Sequence, residues 1–600
     1  MMLPKTVVIL FISLLFFFNA SAFDTLKVTA VLDTALKQVS GVVEYKLPSN
    51  RRLSTFEFQL FPNVYSSADT PYLKGKPGLR RRLIDSKEWG SMAVDSILVN
   101  GKNRIENCSV EYTRGILALD KNTYAQQSEI KLYFKTILPE TGDRLSYLGS
   151  NFLLDGWFPT PAILNNDGEW YHPNYADNSE LVGGYFIFDV IFSAPPDFAV
   201  VGPGASLVAS KKGVLLTEYS FLFGPALDFA LALDPDYLVD KSIVGTDTIG
   251  IYYRDYEYPI VPRIKNAAEK AITYMTENVG EYAYKSINIV FSDIGFSGGI
   301  EFPAIISLSS PRGAPAISNA YEMLTIHEVV HQWFYGMVGS DQIEHPWLDE
   351  SITNFFTLKI FEQFWGDTAN LFGLAGFRVT MRDMNRLNAT VYLGDASIDQ
   401  PGYSFSGSDS YFSTIYDRGA LAVETIDNLL GDSLSPVFWR TYFENNRFAH
   451  STPGDFRRAI IEISGDSLAA VYETLINEPI RVDFSVSALS NRRLDSTRAE
   501  IEFILHREGG IDYPIDYRLY LSDGDSLDFQ SVSRFATEKI VHQSPSPAVS
   551  VLLDSDNKWA IDANLLNNSA VVSPDNRPGF RLSAGMMFLI ESLLSFVGGI

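Results

Sequence analysis

The sequence predicts a multidomain protein with β-rich regions at both ends. An N-terminal all-β domain is expected over 23–242, a mixed α+β domain over 243–480, a small β-sandwich over 481–566, and a tail over 567–600. Three observations predict this. A chain of 600 residues with 46% hydrophobic and 13% aromatic content can build several cores. Apolar residues alternate with a period of two as far as Leu238, and that pattern returns after Val482. Between these regions the period lengthens to the 3.6 of amphipathic helices.

Taken in order, Lys5, the apolar run Val7 to Phe18 and the small residues Ala20-Ser21-Ala22 read as a secretory signal over 1–22 that leaves Phe23 first. The expected location is the bacterial periplasm or the extracellular space. Cys108 is the single cysteine, so an intrachain disulfide is excluded, and it is expected as a small buried hydrophobe. β-Formers alternate in Gly41–Tyr45, Thr55–Leu60, Ile130–Phe134 and Gly184–Val190, with a turn at Asn100-Gly101. Asp155-Gly156-Trp157-Phe158-Pro159 reads as core or turn.

The middle region opens with a helix over Pro262–Val279, its proline suited to a first turn, and a strand over Ile287–Phe291. Helices follow over Ser318–Met337, Leu348–Trp365 and Thr368–Asn385. A loop over Gly394–Ser410 then delivers Tyr416 at the start of another helix. Ser451-Thr452-Pro453-Gly454-Asp455 caps a helix that runs to Ser464-Gly465, and a short one ends at Asn477. Strands return in Arg498–Leu505 and Val549–Leu553, spaced as in a small sandwich. Met586–Val597 is apolar with Glu591, Ser592 and Ser595 on one side, so a docked amphipathic helix is favoured over membrane contact through 583–600. The net charge of −24 and a pI near 4.7 argue against nucleic-acid and anionic-membrane partners.

Chemistry concentrates in His327-Glu328-Val329-Val330-His331 and in Glu350, which follows after eighteen intervening residues. Histidines four apart on a helix share a face and can aim two imidazole nitrogens at one point. With Glu350 as third ligand they make a catalytic zinc site that keeps one position for water. Zinc lowers the pKa of bound water towards about 7, and Glu328 can take the released proton as general base. His345 lacks ligand spacing, and His172, His450, His506 and His542 are scattered. Asn354, one turn beyond Glu350, is a candidate to orient a ligand histidine or to pack the helix.

The run HEVVHQWFYGMVG followed by PWLDES resembles the zinc aminopeptidases of the alanyl-aminopeptidase and leukotriene-hydrolase type, a gluzincin family. Gly298-Gly299-Ile300-Glu301-Phe302-Pro303 is similar to its Gly-x-Met-Glu-Asn element, and Tyr416-Asp417-Arg418-Gly419 to its Tyr-x-Lys-Gly element. The resemblance implies a thermolysin-like catalytic fold, one zinc ion, and a peptide substrate with a free amino terminus. It further implies Glu301 as partner of the terminal ammonium, Gly298 and Gly299 as the edge that peptide backbone approaches, and Tyr416 as donor to the oxyanion. Ile300, Phe302, Arg418 and Ser351 depart from the family's usual residues, but no ligand, base or tyrosine is lost. Two alternatives stand beside this reading: an endopeptidase of the same group, and a catalytically weak extracellular binding or scaffold protein.

Overall fold

The computed structural model describes residues 23–573, apart from 48–52, 121–127, 166, 174, 205–206, 213–214, 293–297, 312–318, 367–371, 375–376, 392–395, 496 and 533–534, together with Ser583 and Met587. The expected signal segment and, except for Met587, the apolar run Met586–Val597 lie outside the described residues. Among the described residues no helix is long and apolar enough to cross a membrane. The chain forms two compact units: residues 1–173, 181–258 and 284–310 make the first, and 174–180, 259–283 and 311–600 the second.

In the first unit, strict alternation makes strands that bury one face. Thr25–Asp33 buries every second residue from Leu26, and Phe186–Ala194 does so from Phe186. These two pair in parallel inside an eight-stranded sheet whose other pairings are antiparallel. The Asn100-Gly101 turn has positive φ at both residues, 49° and 80°, which suits the tight hairpin between Ser91–Val99 and Lys102–Asn103. Two helices, Pro71–Gly75 and Pro77–Ser86, interrupt the expected all-β pattern, each opening at a proline in its first turn. Cys108 is half-buried at the start of a strand, not the core residue expected, because Cys108–Glu111 is the outer strand of its sheet.

A second sheet of this unit runs Leu238–Val244, Asp247–Tyr253, Ser286–Ser292, Ile305–Ser309 and Gly299–Ile300, in that spatial order. The glycine signature therefore lies on an edge strand, paired antiparallel with Ile305–Ser309. Ile300 and Phe302 anchor it in a core with Leu153, Ala232, Val290 and Ile305.

The second unit is helical and then β. Val261–Asn278, Ala320–Val330 and Trp347–Trp365 precede the long Gly419–Asn446 helix, which bends at Gly431, where φ is 70°. Trp347–Trp365 is buried on nearly every side, with Phe356 packing on Trp439 at 4.8 Å between ring centroids and on Phe334 at 5.5 Å. The Thr452–Asp455 capping box forms as expected, each side chain receiving the other's backbone N–H. Beyond it, a three-stranded and a four-stranded sheet form the β region over 483–571.

Two expected helices are corrected. Thr368–Asn385 is not one helix: Phe372–Leu374 and Phe377–Val379 pair as strands, and the helix is Met381–Val391. Gly373 weakens helix formation there, while Phe377 and Val379 favour strand. The helix carrying the histidines ends at Val330, not Met337. After it the chain folds back on itself, with the Tyr335 N–H donating to the Val338 carbonyl and the Val338 N–H to that of Trp333. Tyr335, at φ 123°, cannot continue a helix.

Candidate metal centre

His327 sits in the last turn of Ala320–Val330 and His331 caps it, so their side chains meet as the four-residue spacing requires. Trp347–Trp365 begins with Pro346 as its cap and presents Glu350 in its first turn. The three ligand atoms form a nearly equilateral triangle. His327 Nε2 lies 3.1 Å from His331 Nε2, and each is 3.3 Å from Glu350 Oε2. Ligand atoms about 2.0–2.1 Å from one zinc ion at tetrahedral angles lie about 3.3–3.4 Å apart, so this donor set fits zinc without rearrangement.

The electrostatics agree with the geometry. Burial pushes the Glu350 carboxyl up, but His331 and His327 outweigh it and hold the group well below the usual carboxylate range. Burial also opposes charge on His331, yet Asp349 and Glu350 beside it hold its pKa well above the ordinary value. The cluster is thus built around a positive charge, which a divalent metal supplies with both imidazoles neutral.

Asp349 sets the tautomer. Its Oδ1 lies 2.7 Å from His331 Nδ1, which leaves the Nε2 lone pair for the metal, and Gln342 Nε2 donates to its other oxygen. The sequence reading missed Asp349 and Gln342. Asp349 was signalled by its place beside a ligand, since a metal-bound histidine regularly needs a carboxylate on its far nitrogen.

Tyr416 reaches the same cluster. Its hydroxyl donates to Glu350 Oε1, and its ring stacks near His327 with centroids 6.0 Å apart. It sits in a π-helical turn, Ser413–Arg418, tied to the Glu350 helix at three points. Ser351 Oγ donates to the Ile415 carbonyl at 2.6 Å, and Asn354 Nδ2 to the Tyr416 carbonyl at 2.7 Å. A Cβ on Gly419 would stand 2.0 Å from Ser351 Oγ, so only glycine fits this approach. Asn354 therefore holds the tyrosine turn, not a histidine. Glu328 is buried, 3% exposed, one residue from the first ligand. His345 Nδ1 lies 2.6 Å from Asp399 Oδ1.

Glu301, Gly298 and Gly299 belong to the first unit. Arg144 Nη2 donates to Glu301 Oε1 at 2.9 Å, and the guanidinium also lies 3.8 Å from Asp155 and over the Phe302 ring. All three charged groups are buried. Burial pushes the Asp155 carboxyl up to about 7, despite the nearby guanidinium. Nothing in the sequence singled out Arg144. The Gly298 N–H donates to Ser309 Oγ at 3.0 Å and its carbonyl accepts the Ser309 N–H at 2.9 Å, while Gly299 pairs with Leu308.

Residues 266–475 match the Peptidase family M1 domain. The chain is 24% identical over 187 residues to aminopeptidase N of Lactococcus lactis subsp. cremoris, covering 30% of this chain and 21% of that protein. It is 25% identical over 184 residues to leucine aminopeptidase 2 of Phaeosphaeria nodorum, covering 30% and 29%. It is 22% identical over 269 residues to glutamyl aminopeptidase of Bitis rhinoceros, covering 42% and 25%. The chain thus spans between 21% and 29% of the length of these curated relatives. The crystal structure of Legionella pneumophila aminopeptidase A in complex with aspartic acid superposes with a TM-score of 0.65 at 13% identity, over 90% of this chain and 59% of that one. The family match and the donor set support a zinc metallopeptidase, and the chain has the fold of an M1-family, gluzincin aminopeptidase with a candidate His327–His331–Glu350 zinc motif.

Proposed function

We propose that the protein is a zinc-dependent aminopeptidase that hydrolyses the first peptide bond of peptides with a free amino terminus. The observation that carries this reading is the ligand triangle of 3.1, 3.3 and 3.3 Å, with Tyr416 bonded to the third ligand. His327, His331 and Glu350 would hold one zinc ion, which supplies Lewis acidity towards the carbonyl and acidifies water. Glu328 takes the proton of the attacking water and returns it to the leaving amine. Tyr416 donates its hydroxyl proton in a hydrogen bond to the developing oxyanion, a contribution of about 3–4 kcal/mol to the barrier. Asp349 keeps His331 in one tautomer throughout.

Recognition of the amino terminus falls to Glu301 on its edge strand, where Gly298 and Gly299 allow peptide backbone close. Two carboxylates, Glu301 and Asp155, share one guanidinium there, so with Asp155 ionised a single negative charge is left for one ammonium group. The Arg144 pairing also favours a second reading. If the guanidinium satisfies Glu301 fully, the selectivity for free termini is lost and the protein is an endopeptidase of the same family. The run over 1–22 is read as an export signal, which puts the activity in the periplasm or outside the cell.

Matched fluorogenic peptides with free and acetylated amino termini, assayed with the zinc-loaded protein and its Glu328→Gln variant, separate these readings. Turnover of the free series alone, lost in the variant, supports the aminopeptidase. Cleavage of the acetylated series moves the assignment to an endopeptidase, and no Glu328-dependent turnover of either favours a binding protein.

A further inference from the structure

We propose that a small cavity behind the Tyr416 turn is a binding site for one monatomic anion of the chloride type, with Arg418 and Arg386 as its recognition groups. The cavity measures about 10 Å³, room for one small occupant. It is lined by Arg386, Arg418, Arg481, Thr390 and Asp562, with apolar side chains completing the wall.

Arg418 is the observation that demands an occupant. The residue is 4% exposed, its Nη2 donates to the Ala396 carbonyl, and its Nε has no hydrogen-bond partner. Among the described residues no carboxylate lies within ion-pair distance of it. Burial lowers its pKa to about 10, so the guanidinium is still charged at neutral pH. A buried cation without a counter-charge is costly, and a bound anion removes that cost. Arg386, half-buried on the Met381–Val391 helix, donates its Nε to the Ala560 carbonyl at 3.3 Å and likewise has no ion-pair contact among the described residues. Glu424, Asp383 and Asp562 act on it only at longer range.

The remaining charged groups leave the balance positive. Arg481 is partly exposed and pairs with Asp483 at 3.2 Å. Asp562 is the one carboxylate in the wall among the described residues, and its two oxygens accept from the Asn564 N–H at 3.0 Å and from Asn568 Nδ2 at 2.9 Å. Burial pushes its carboxyl up to about 6, which weakens its repulsion of an anion below that pH. Arg418 stands two residues after Tyr416 and directly before Gly419, so an occupant on the guanidinium would pin the turn that carries the tyrosine.

The test melts the zinc-loaded chain at one ionic strength while chloride replaces gluconate stepwise, and locates bromide by its anomalous signal in soaked crystals. The expected result is a saturable rise in Tm of about 2–4 °C in chloride. The rise is lost in Arg418→Met and weakened in Arg386→Gln, and a bromide peak stands beside Arg418 Nε in the wild type. Equal melting in the two salts, or crystals with no bromide in the cavity, overturns the proposal. Chloride sensitivity that emerges only in Asp395→Asn also overturns it, because the neighbour of Ala396 would then be the counter-charge. Should Arg418→Met fail to fold, the wild-type melting and bromide arms still decide. A rise in kcat with chloride is the one arm that rests on the peptidase reading, and the other two stand without it.

Discussion

Two of the protein's buried carboxylate clusters meet their charge in opposite ways. Around Glu301, the chain supplies its own cation: Arg144 is shared between Glu301 at 2.9 Å and Asp155 at 3.8 Å. Around Glu350, two imidazoles converge on one carboxylate oxygen, with Asp349 behind them and, among the described residues, no lysine or arginine ion-paired to Glu350. A cluster that carries its own cation can offer a ligand only its residual charge, whereas one that lacks it must take a cation from outside. The Glu350 cluster therefore has the character of a metal site, whereas the Glu301 cluster keeps a single net negative charge when Asp155 is ionised.

The largest expected effect lies at the metal cluster. Glu328→Gln should lower kcat by about 10²–10⁴-fold, with zinc content by mass spectrometry unchanged. Loss of zinc together with activity would mean that the glutamate acts structurally. Tyr416→Phe should follow, with kcat reduced about 10²–10³-fold at full zinc occupancy, and wild-type kcat in that variant would remove the tyrosine from the mechanism.

Next in size is Asp349→Asn, which should weaken zinc about 10–100-fold in a chelator competition while the fold melts normally. Its effect measures how far the first comparison holds. Gly419→Ala should destabilise the protein by about 1–3 kcal/mol through its collision with Ser351. Ser351→Gly in the same chain should restore most of the Tm, and failure of that rescue would locate the cost elsewhere.

The smallest effect is a pH dependence at the other cluster. Asp155 has its carboxyl pushed up to about 7, so it is protonated below that value and the cluster is then neutral. KM for free-amine peptides should accordingly fall as pH rises through about 7, and Asp155→Asn should flatten that limb. For stability the sign is the reverse. The folded state holds this proton more tightly than the unfolded one, so the contribution is full below about pH 3.8 and is lost as pH rises through about 7. A KM profile unchanged in Asp155→Asn would detach that residue from substrate binding.

The metal cluster was legible in the sequence because its geometry is local. A four-residue spacing on a helix and a glutamate in the next helix's first turn fix three ligand atoms whatever surrounds them. The strands, too, announced themselves by alternation, as in Thr25–Asp33. Helix ends were less legible: Trp333-Phe334-Tyr335 continues the apolar pattern, but backbone reversal at Tyr335 stops the helix earlier. Over 368–385, apolar residues fall at near-helical spacing, and only the glycines and β-formers betray the paired strands.

What the sequence did not show are the groups joined by tertiary contact. Arg144 reaches Glu301 across 157 residues, and no spacing encodes that. Asn354 was placed on the correct side of its helix, yet its partner proved to be the Tyr416 carbonyl, 62 residues on. Arg418 reads as a conservative replacement in its motif; only the packed structure shows that its charge is buried without a side-chain partner among the described residues.

The central claim is that His327, His331 and Glu350 bind one zinc ion as they stand. Zinc-edge X-ray absorption on the loaded protein tests it most directly. The account predicts one ion per chain, bound by two imidazole nitrogens and oxygen donors at about 2.0–2.1 Å, and lost in His331→Ala. A chain that binds no zinc, or binds it equally well without His331, would contradict it.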